Sequence, residues 1–207
     1  LASSAASDVY KRQGNYYIYF GGLWGGQLQR YRNNKALESA ILPEGEEEAI
    51  PSRVARLSED MMEFAEEPRA VVILDEDGKP LTAGDTERRF FEASWMHKYN
   101  GKYYMLSSGC TGWDPNVAEI AVADSIMGTW KTIGNPCTGP DADKTFYAQS
   151  TYVQPVVGKK NAYITMFDRW KKKDLEDSRY VWLPVLVKDG KITIPWHEKW
   201  NLSIFDK

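Results

Sequence analysis

Short strand-like runs separated by turn residues recur along most of this 207-residue chain, and they constrain its fold more than any other feature. β-Branched and aromatic residues fill the runs, a pattern typical of β-sandwiches, barrels and propellers. The second and third of three sets hold four runs each, and four-stranded sheets repeated around an axis are the blades of a β-propeller. The predicted strands are 16–20, 53–57 and 71–74; then 91–99, 102–107, 118–123 and 130–133; then 150–156, 162–167, 180–187 and 191–196.

Turn residues mark the boundaries of these runs. The dipeptides Asn100-Gly101, Asp77-Gly78 and Asp189-Gly190 predict tight turns, because Asn, Asp and Gly tolerate the positive φ that such turns need. Helical periodicity is weak, and the single candidate, residues 58–67, predicts one or two helical turns at most. The runs amount to about two full blades and part of another, so we expect an all-β, incomplete propeller with open sheet edges.

Charge and hydropathy exclude several classes of partner. The 26 basic and 29 acidic residues give a net charge of −3. Runs of like charge are no longer than short patches such as the acidic 46–48 and the basic 171–173. We therefore expect no nucleic-acid partner. No apolar run approaches the roughly 20 residues that a membrane-spanning helix needs, so no membrane partner is expected either. Cys110 and Cys137 could form one disulfide, but the pattern favours two buried thiols.

The first residues do not read as part of a domain. They have neither the basic region nor the apolar core of a signal peptide. The run 3–13, SSAASDVYKRQ, resembles the in-frame translation of a sequencing adapter. We therefore divide the chain into an adapter-like, non-native segment at 1–13 and a partial propeller domain at 14–207, and we exclude Asp8 from the functional residues. The natural start of the gene is expected to be absent.

Several longer motifs carry a family resemblance. The segments GLWGGQLQRY (22–31), SRVARLSEDM (52–61) and RRFFEASWMHKYNGKYY (88–104) resemble the β-xylosidase and arabinofuranosidase members of glycoside hydrolase family 43. From residue 107 onward, SSGCTGWDPN, GPDADKTFYAQSTYV, DRW and RYVWLP are similar to the galactan-directed branch of that family. The resemblance implies a five-bladed β-propeller. The branch of the family that the sequence resembles changes within residues 99–104, a stretch that members of either branch can carry. The chain can therefore come from one gene or from a chimera of two.

The resemblance also implies a reaction. Members hydrolyse β-xylosides, α-arabinofuranosides or β-galactans of plant cell walls with inversion, and the Glu of their Glu-Ala-Ser motif, here Glu92, is the general acid. Inverting enzymes need one protonated carboxyl and one carboxylate that activates water, about 6.5–9.5 Å apart. Phe90 and Phe91 beside Glu92 favour its protonated form. The alternative is that Glu92 pairs with Arg88 or Arg89.

The two other carboxylates of the family, a base Asp and an Asp that tunes the acid, lie in early blades and are not found here. The tuning Asp normally precedes a strand such as 16–20, where the adapter-like segment stands. In the galactan-directed branch the base Asp is not retained, and a Gln of a Gln-Ser-Thr motif has been linked to the position of the water. Gln149 matches that residue. A structural amide at a blade edge is the alternative.

Aromatic and charged side chains supply the candidate sugar contacts. Trp24 stands among glycines that let the backbone approach a ligand, and its ring suits the apolar face of a sugar, with core packing as the alternative. The other candidates for the same funnel are Trp95, Trp113, Asp168, Arg169 and Trp170.

No cofactor is predicted from this sequence. His97 and His197 lack the spacing of zinc ligands. Members of the resembling family can hold a structural cation or water in the channel, but no residue here identifies one. The expected partner is a carbohydrate substrate. A rival interpretation is a non-catalytic carbohydrate-binding fragment, whereas a protein-interaction propeller would show repeated Trp-Asp signatures that this sequence lacks.

Overall fold

The computed structural model describes residues 8–12, 14–22, 50–112, 114–188 and 190–206. Three β-sheets make up this part of the chain. The first contains β1 (Asp8–Arg12), β2 (Asn15–Phe20), β3 (Arg53–Arg56) and β4 (Arg69–Ala70). The second contains β5 (Ile73–Leu74), β6 (Glu92–Tyr99), β7 (Lys102–Ser108), β8 (Ala118–Ala123) and β9 (Trp130–Gly134). The third contains β10 (Cys137–Thr138), β11 (Gln149–Pro155), β12 (Tyr163–Arg169), β13 (Arg179–Lys188) and β14 (Lys191–Pro195).

The second and third sheets share one topology. Four strands run as an antiparallel meander, β6 to β9 and β11 to β14, as the sequence predicts. A fifth, two-residue strand then pairs in parallel with the last one, β5 with β9 and β10 with β14. These short strands each precede the meander in the chain. Sequence patterns predicted four strands per blade because two-residue strands carry no periodicity.

The sheets stack face to face, and the second sheet is buried on both sides. In β7, Tyr103 and Met105 pack in a core shared with the first sheet, while Tyr104 and Leu106 pack in a core shared with the third. Successive side chains of a strand point to opposite faces, so the central residues of a strand between two cores are apolar on both faces. This stacking of sheets confirms the predicted all-β, incomplete propeller.

One helix, α1 (Ala83–Arg89), precedes β6, and the sequence analysis missed it. A capping box fixes its start: the Thr82 hydroxyl accepts from the amide of Asp85 at 3.1 Å, and the Asp85 carboxylate accepts from the amide of Thr82 at 3.2 Å. The predicted helical turns at 58–67 are wrong. There Asp60 accepts from the amide of Met62 at 3.1 Å, and Met61 has a φ of 61°, which an α-helix does not permit.

Tight turns close the hairpins. Asn100 and Gly101 have φ values of 47° and 81° and connect β6 to β7, as their dipeptide predicts. Among the described residues, 3-10 turns lie at Ala142–Tyr147, Leu175–Asp177 and Leu202–Phe205, and the first of them contains the non-helical residues Lys144, Thr145 and Phe146. None of the helices in the described ranges is long and apolar enough to cross a membrane.

Candidate active site

A cavity of about 460 Å³ opens where the first residues of β6 and β11 meet. It lies between the second and third sheets, and residues 111–112, 114–116 and 147–149 form much of its wall. Its lining residues are Glu92, Ser108, Thr111, Gly112, Asp114, Pro115, Asn116, Tyr147, Ala148, Gln149, Asp168, Trp170 and Lys172. Three of the predicted site residues that the structure describes, Glu92, Gln149 and Asp168, therefore share one cavity, together with Trp170.

Glu92 is held at the cavity by its backbone. It begins β6 directly after α1, opposite Ser108 of β7, and an irregularity in the pairing follows between Glu92 and Trp95. The hydroxyl of Ser107 donates to the Glu92 carbonyl at 2.9 Å, and the hydroxyl of Ser150 donates to the carbonyl of Ala93. Ala93 itself has a φ of 52°. Bulges of this kind redirect a side chain next to an active site, and here the carboxyl faces the cavity.

The side chain of Glu92 has a defined partner. The Gln149 amide Nε2 donates to Glu92 Oε2 at 3.1 Å and lies 3.3 Å from Ser108 Oγ. Arg88 instead pairs with Asp85 at 3.0 Å, and Arg89 pairs with Glu119 and Glu76. The alternative in which Glu92 pairs with Arg88 or Arg89 is therefore wrong.

The position of Gln149 also bears on the alternative that its side chain is a structural amide at a blade edge. It is the first residue of β11, but its amide reaches across to side chains of the second sheet. It does not cap the edge of its own blade. The amide therefore belongs to the cavity, next to the carboxyl of Glu92.

Asp168 contributes a second carboxyl to the same wall. It pairs with Gln149 in the register of β11 and β12. Burial raises the pKa of Asp168, since a carboxylate loses hydration there. Its neutral form is therefore favoured more than it would be at an exposed position.

Cys110 lies behind Glu92. Burial, and next the negative charge of Glu92, raise the pKa of its thiol to about 11. Both cysteines are free, as predicted, but only Cys137 is buried in the core, whereas Cys110 is half-buried. At neutral pH the Cys110 side chain is accordingly a neutral neighbour of the carboxyl.

Two predicted sugar contacts lie elsewhere. Trp95 is 2% exposed and packs in the core between the second and third sheets, three residues along β6 from Glu92 and outside the cavity lining. Arg169 faces the other side of β12 from Asp168: its guanidinium donates to the carbonyl of Phe146 at 2.7 and 3.1 Å and lies 5.3 Å from the ring of Trp196. Both assignments are corrected. Trp24 and Trp113 lie outside the described residues, so their roles stay predictions.

The sequence analysis missed most of the loop residues. Tyr147 lines the cavity and is 43% exposed, and Asn116 organises the loop 109–116. The Asn116 amide donates to the carbonyl of Gly109 at 2.8 Å and to Thr111 Oγ1 at 2.6 Å. A signal existed for Asn116, since Asn after Pro in a turn-rich segment is typical of a structured loop.

A buried ion pair supports the segment that leads to Glu92. Arg89, at the end of α1, donates from Nε and Nη2 to the two carboxylate oxygens of Glu119 at 2.8 and 2.6 Å. The Thr132 hydroxyl donates to Glu119 at 3.1 Å. Within the described ranges, no group of three or more His, Cys, Asp or Glu side chains could hold a metal ion.

No protein-family model matches the chain. A xylosidase/arabinosidase of Bacteroides ovatus is 85% identical to it over 115 residues, which are 56% of this chain and 34% of that protein. Among solved structures, a β-xylosidase is 43% identical, with a TM-score of 0.66 over 93% of this chain and 58% of its own. A GH43 β-1,3-galactosidase with galactodeoxynojirimycin is 31% identical, with a TM-score of 0.67 over 96% of this chain and 47% of its own.

Stacked meander sheets with a cavity between two of them define the class, part of a β-propeller. The chain is similar in sequence and structure to members of glycoside hydrolase family 43. It spans about a third of the curated relatives it matches, namely 34%, 39% and 31% of their lengths.

Proposed function

We propose that the protein to which this chain belongs is an inverting glycoside hydrolase of plant cell-wall polysaccharides. Its substrates would be β-xylosides, α-arabinofuranosides or β-galactans, with Glu92 as the general acid. The observation that carries the proposal is the contact between Glu92 and Gln149 inside a cavity of about 460 Å³. Relatives named for xyloside, arabinoside and galactoside hydrolysis support the substrate range.

The geometry around Glu92 suits proton donation. Its Oε2 accepts the amide hydrogen of Gln149, so in the neutral acid the proton is carried by Oε1. From there the proton would pass to the glycosidic oxygen as the bond to the sugar breaks. The carbonyl oxygen of the Gln149 side chain would accept a hydrogen bond from the attacking water, a positioning role, and a base outside the described residues would take the proton that this water loses.

A carbohydrate-binding fragment without catalysis is the second candidate function for the 207-residue chain taken alone. The chain spans about a third of its curated relatives, yet its cavity wall retains Tyr147 and Trp170, two aromatic side chains suited to sugar faces. A lone acid cannot activate water, so binding can survive in a fragment where turnover does not.

Parallel assays of the 207-residue chain and of a protein extended to the length of its relatives test both functions. Substrates are aryl β-xyloside, aryl α-arabinofuranoside and β-galactan, and binding is measured on the corresponding methyl glycosides. We expect hydrolysis by the extended protein and binding alone by the shorter chain. Hydrolysis that Glu92→Gln leaves unchanged in the extended protein would reject the proposed acid.

A further inference from the structure

Residues 145–147 form one left-handed turn that ends at the cavity. Thr145, Phe146 and Tyr147 have φ values of 49°, 58° and 57°, and none of them is glycine. Residues with side chains avoid this conformation, because Cβ approaches the following carbonyl oxygen. Such strain persists only where the surroundings impose it, and it concentrates at functional sites.

The first residue of the turn is anchored by the loop before β8. The Thr145 hydroxyl accepts from the amide of Ala118 at 2.7 Å and donates to the carbonyl of Asn116 at 2.8 Å. Thr145 is 1% exposed, so water does not compete for these hydrogen bonds.

The second residue is anchored by the third sheet. Phe146 is 1% exposed, and its ring centroid lies 5.2 Å from that of Trp196. Its carbonyl accepts both hydrogen bonds of Arg169, whose guanidinium also covers the Trp196 ring. Arg169 therefore fixes the backbone one residue before Tyr147.

The third residue of the turn, Tyr147, lies at the cavity. Tyr147 lines the cavity two positions before Gln149 and is 43% exposed. Its hydroxyl lies 3.1 Å from Asp141 Oδ1, to which it donates, and the Lys144 ammonium lies 5.3 Å from its ring centroid. With its backbone and hydroxyl both held, the ring has a fixed orientation and an accessible surface in the cavity.

We propose that Tyr147 is a specificity-determining residue that packs its ring against the sugar bound beside Glu92, and that Arg169 is a positioning residue that acts through Tyr147. This inference rests on the proposed function. An aromatic ring packs best on a broad apolar face. A galactopyranose presents several C–H groups on one face of a six-membered ring, whereas an arabinofuranose presents a smaller five-membered one. Tyr147 should therefore favour pyranosides over furanosides.

The test measures binding of methyl β-D-galactopyranoside and methyl α-L-arabinofuranoside to the full 207-residue chain by ligand-observed NMR titration, which needs only micromolar protein. Tyr147→Ala should weaken galactopyranoside binding about tenfold and arabinofuranoside binding less, whereas Tyr147→Phe should retain most of the affinity. The matched control is Tyr152→Ala, since Tyr152 is 50% exposed and lies outside the cavity lining.

Arg169 is tested through a double-mutant cycle. Arg169→Met should weaken galactopyranoside binding, but in the Tyr147→Ala background it should add nothing, because its effect passes through the missing ring. Arg169→Lys is measured in the same cycle in case the Met variant does not fold. Additive losses would overturn the positioning role.

Two other outcomes are distinguishable. If the parent chain binds galactopyranoside and Tyr147→Ala binds it equally well, the inference is overturned while the proposed function stands. If the parent chain binds neither glycoside, this inference is overturned, whereas the proposed function is decided separately by hydrolysis in the extended protein.

Discussion

The Nε2 of Gln149 lies 3.1 Å from Oε2 of Glu92, a contact between residues 57 positions apart in the chain. Each residue begins the first meander strand of its sheet, so the contact joins two adjacent sheets at the same end. A cavity wall built in this way depends on the stacking of the sheets, and it forms only when both sheets are folded.

Replacement of the proposed acid should depend on the leaving group. In a protein extended to the length of its relatives, Glu92→Gln should reduce turnover of substrates with poor leaving groups by about 10²–10⁴, and that of activated aryl glycosides less. Steady-state rates on both substrate types provide the measurement. Glu63→Gln, at an exposed position away from the cavity lining, is the control. Equal losses on both types would remove Glu92 from the acid role.

Asp168 should make stability depend on pH. Its raised pKa means that the native state binds more protons than the unfolded state between the two pKa values, so stability falls as the pH rises through that window. Asp168→Asn removes this titration and should raise the melting temperature at pH 7 more than at pH 4. The exposed Asp143→Asn serves as the control. A gain of the same size at both pH values would show that burial of the charge is not the cause.

Arg89 and Arg88 lie side by side in α1 but should differ in their contribution to stability. Arg89→Ala leaves the Glu119 carboxylate, whose side chain is 10% exposed, without its ion-pair partner, and should cost about 3 kcal/mol. Arg88 is 67% exposed and pairs with Asp85 three residues away, so Arg88→Ala should cost less than about 0.5 kcal/mol. Urea unfolding of the two variants provides the comparison, and similar costs would contradict it.

Replacement of Trp95 should lower stability, whereas replacement of Trp24 should weaken sugar binding. Trp95→Ala opens a void in a packed core and should cost about 3–5 kcal/mol while folded molecules bind glycosides as before. Trp24→Ala should instead weaken binding by about 1–3 kcal/mol without lowering the melting temperature. Calorimetric melting and glycoside titration of both variants are needed, and weaker binding by Trp95→Ala would restore it to the site.

The 207-residue chain alone should hydrolyse neither xylosides, arabinosides nor galactans, and its open edges should make it poorly soluble. Removal of residues 1–13 should not create activity, although it deletes β1, which pairs with β2. Release of aryl alcohol from aryl glycosides is the measurement. Clear hydrolysis that Asp8→Asn abolishes would contradict both the adapter interpretation and the fragment interpretation.

Strand-rich elements could be predicted from the sequence because their periodicity is strong. The prediction for 118–123 coincides with β8 (Ala118–Ala123), and those for the other meander strands differ by one or two residues at their ends. The helical turns are predicted at 58–67 because that segment begins with polar residues that can cap a helix. The actual helix begins after Thr82, where Thr82 and Asp85 form both hydrogen bonds of a capping box.

Site residues on strands were easier to predict than those on loops. Glu92, Gln149 and Asp168 lie on strands and line the cavity. Tyr147 was missed because its orientation depends on a left-handed turn that no local propensity favours. Trp95 and Arg169 were placed at the site because they stand in the same motifs as Glu92 and Asp168, whereas the contacts of their side chains depend on how the sheets and loops pack.

The short parallel strands β5 and β10 have a consequence for how such genes can recombine. Each belongs to the sheet whose meander follows it, so residues 73–134 and 137–195 each contain every strand of one sheet. A crossover at residues 135–136 would exchange complete sheets between related genes and leave every strand with its partner. A crossover within 99–104, where the family resemblance changes, falls in the hairpin of β6 and β7 and would require strands of different parentage to pair within one sheet.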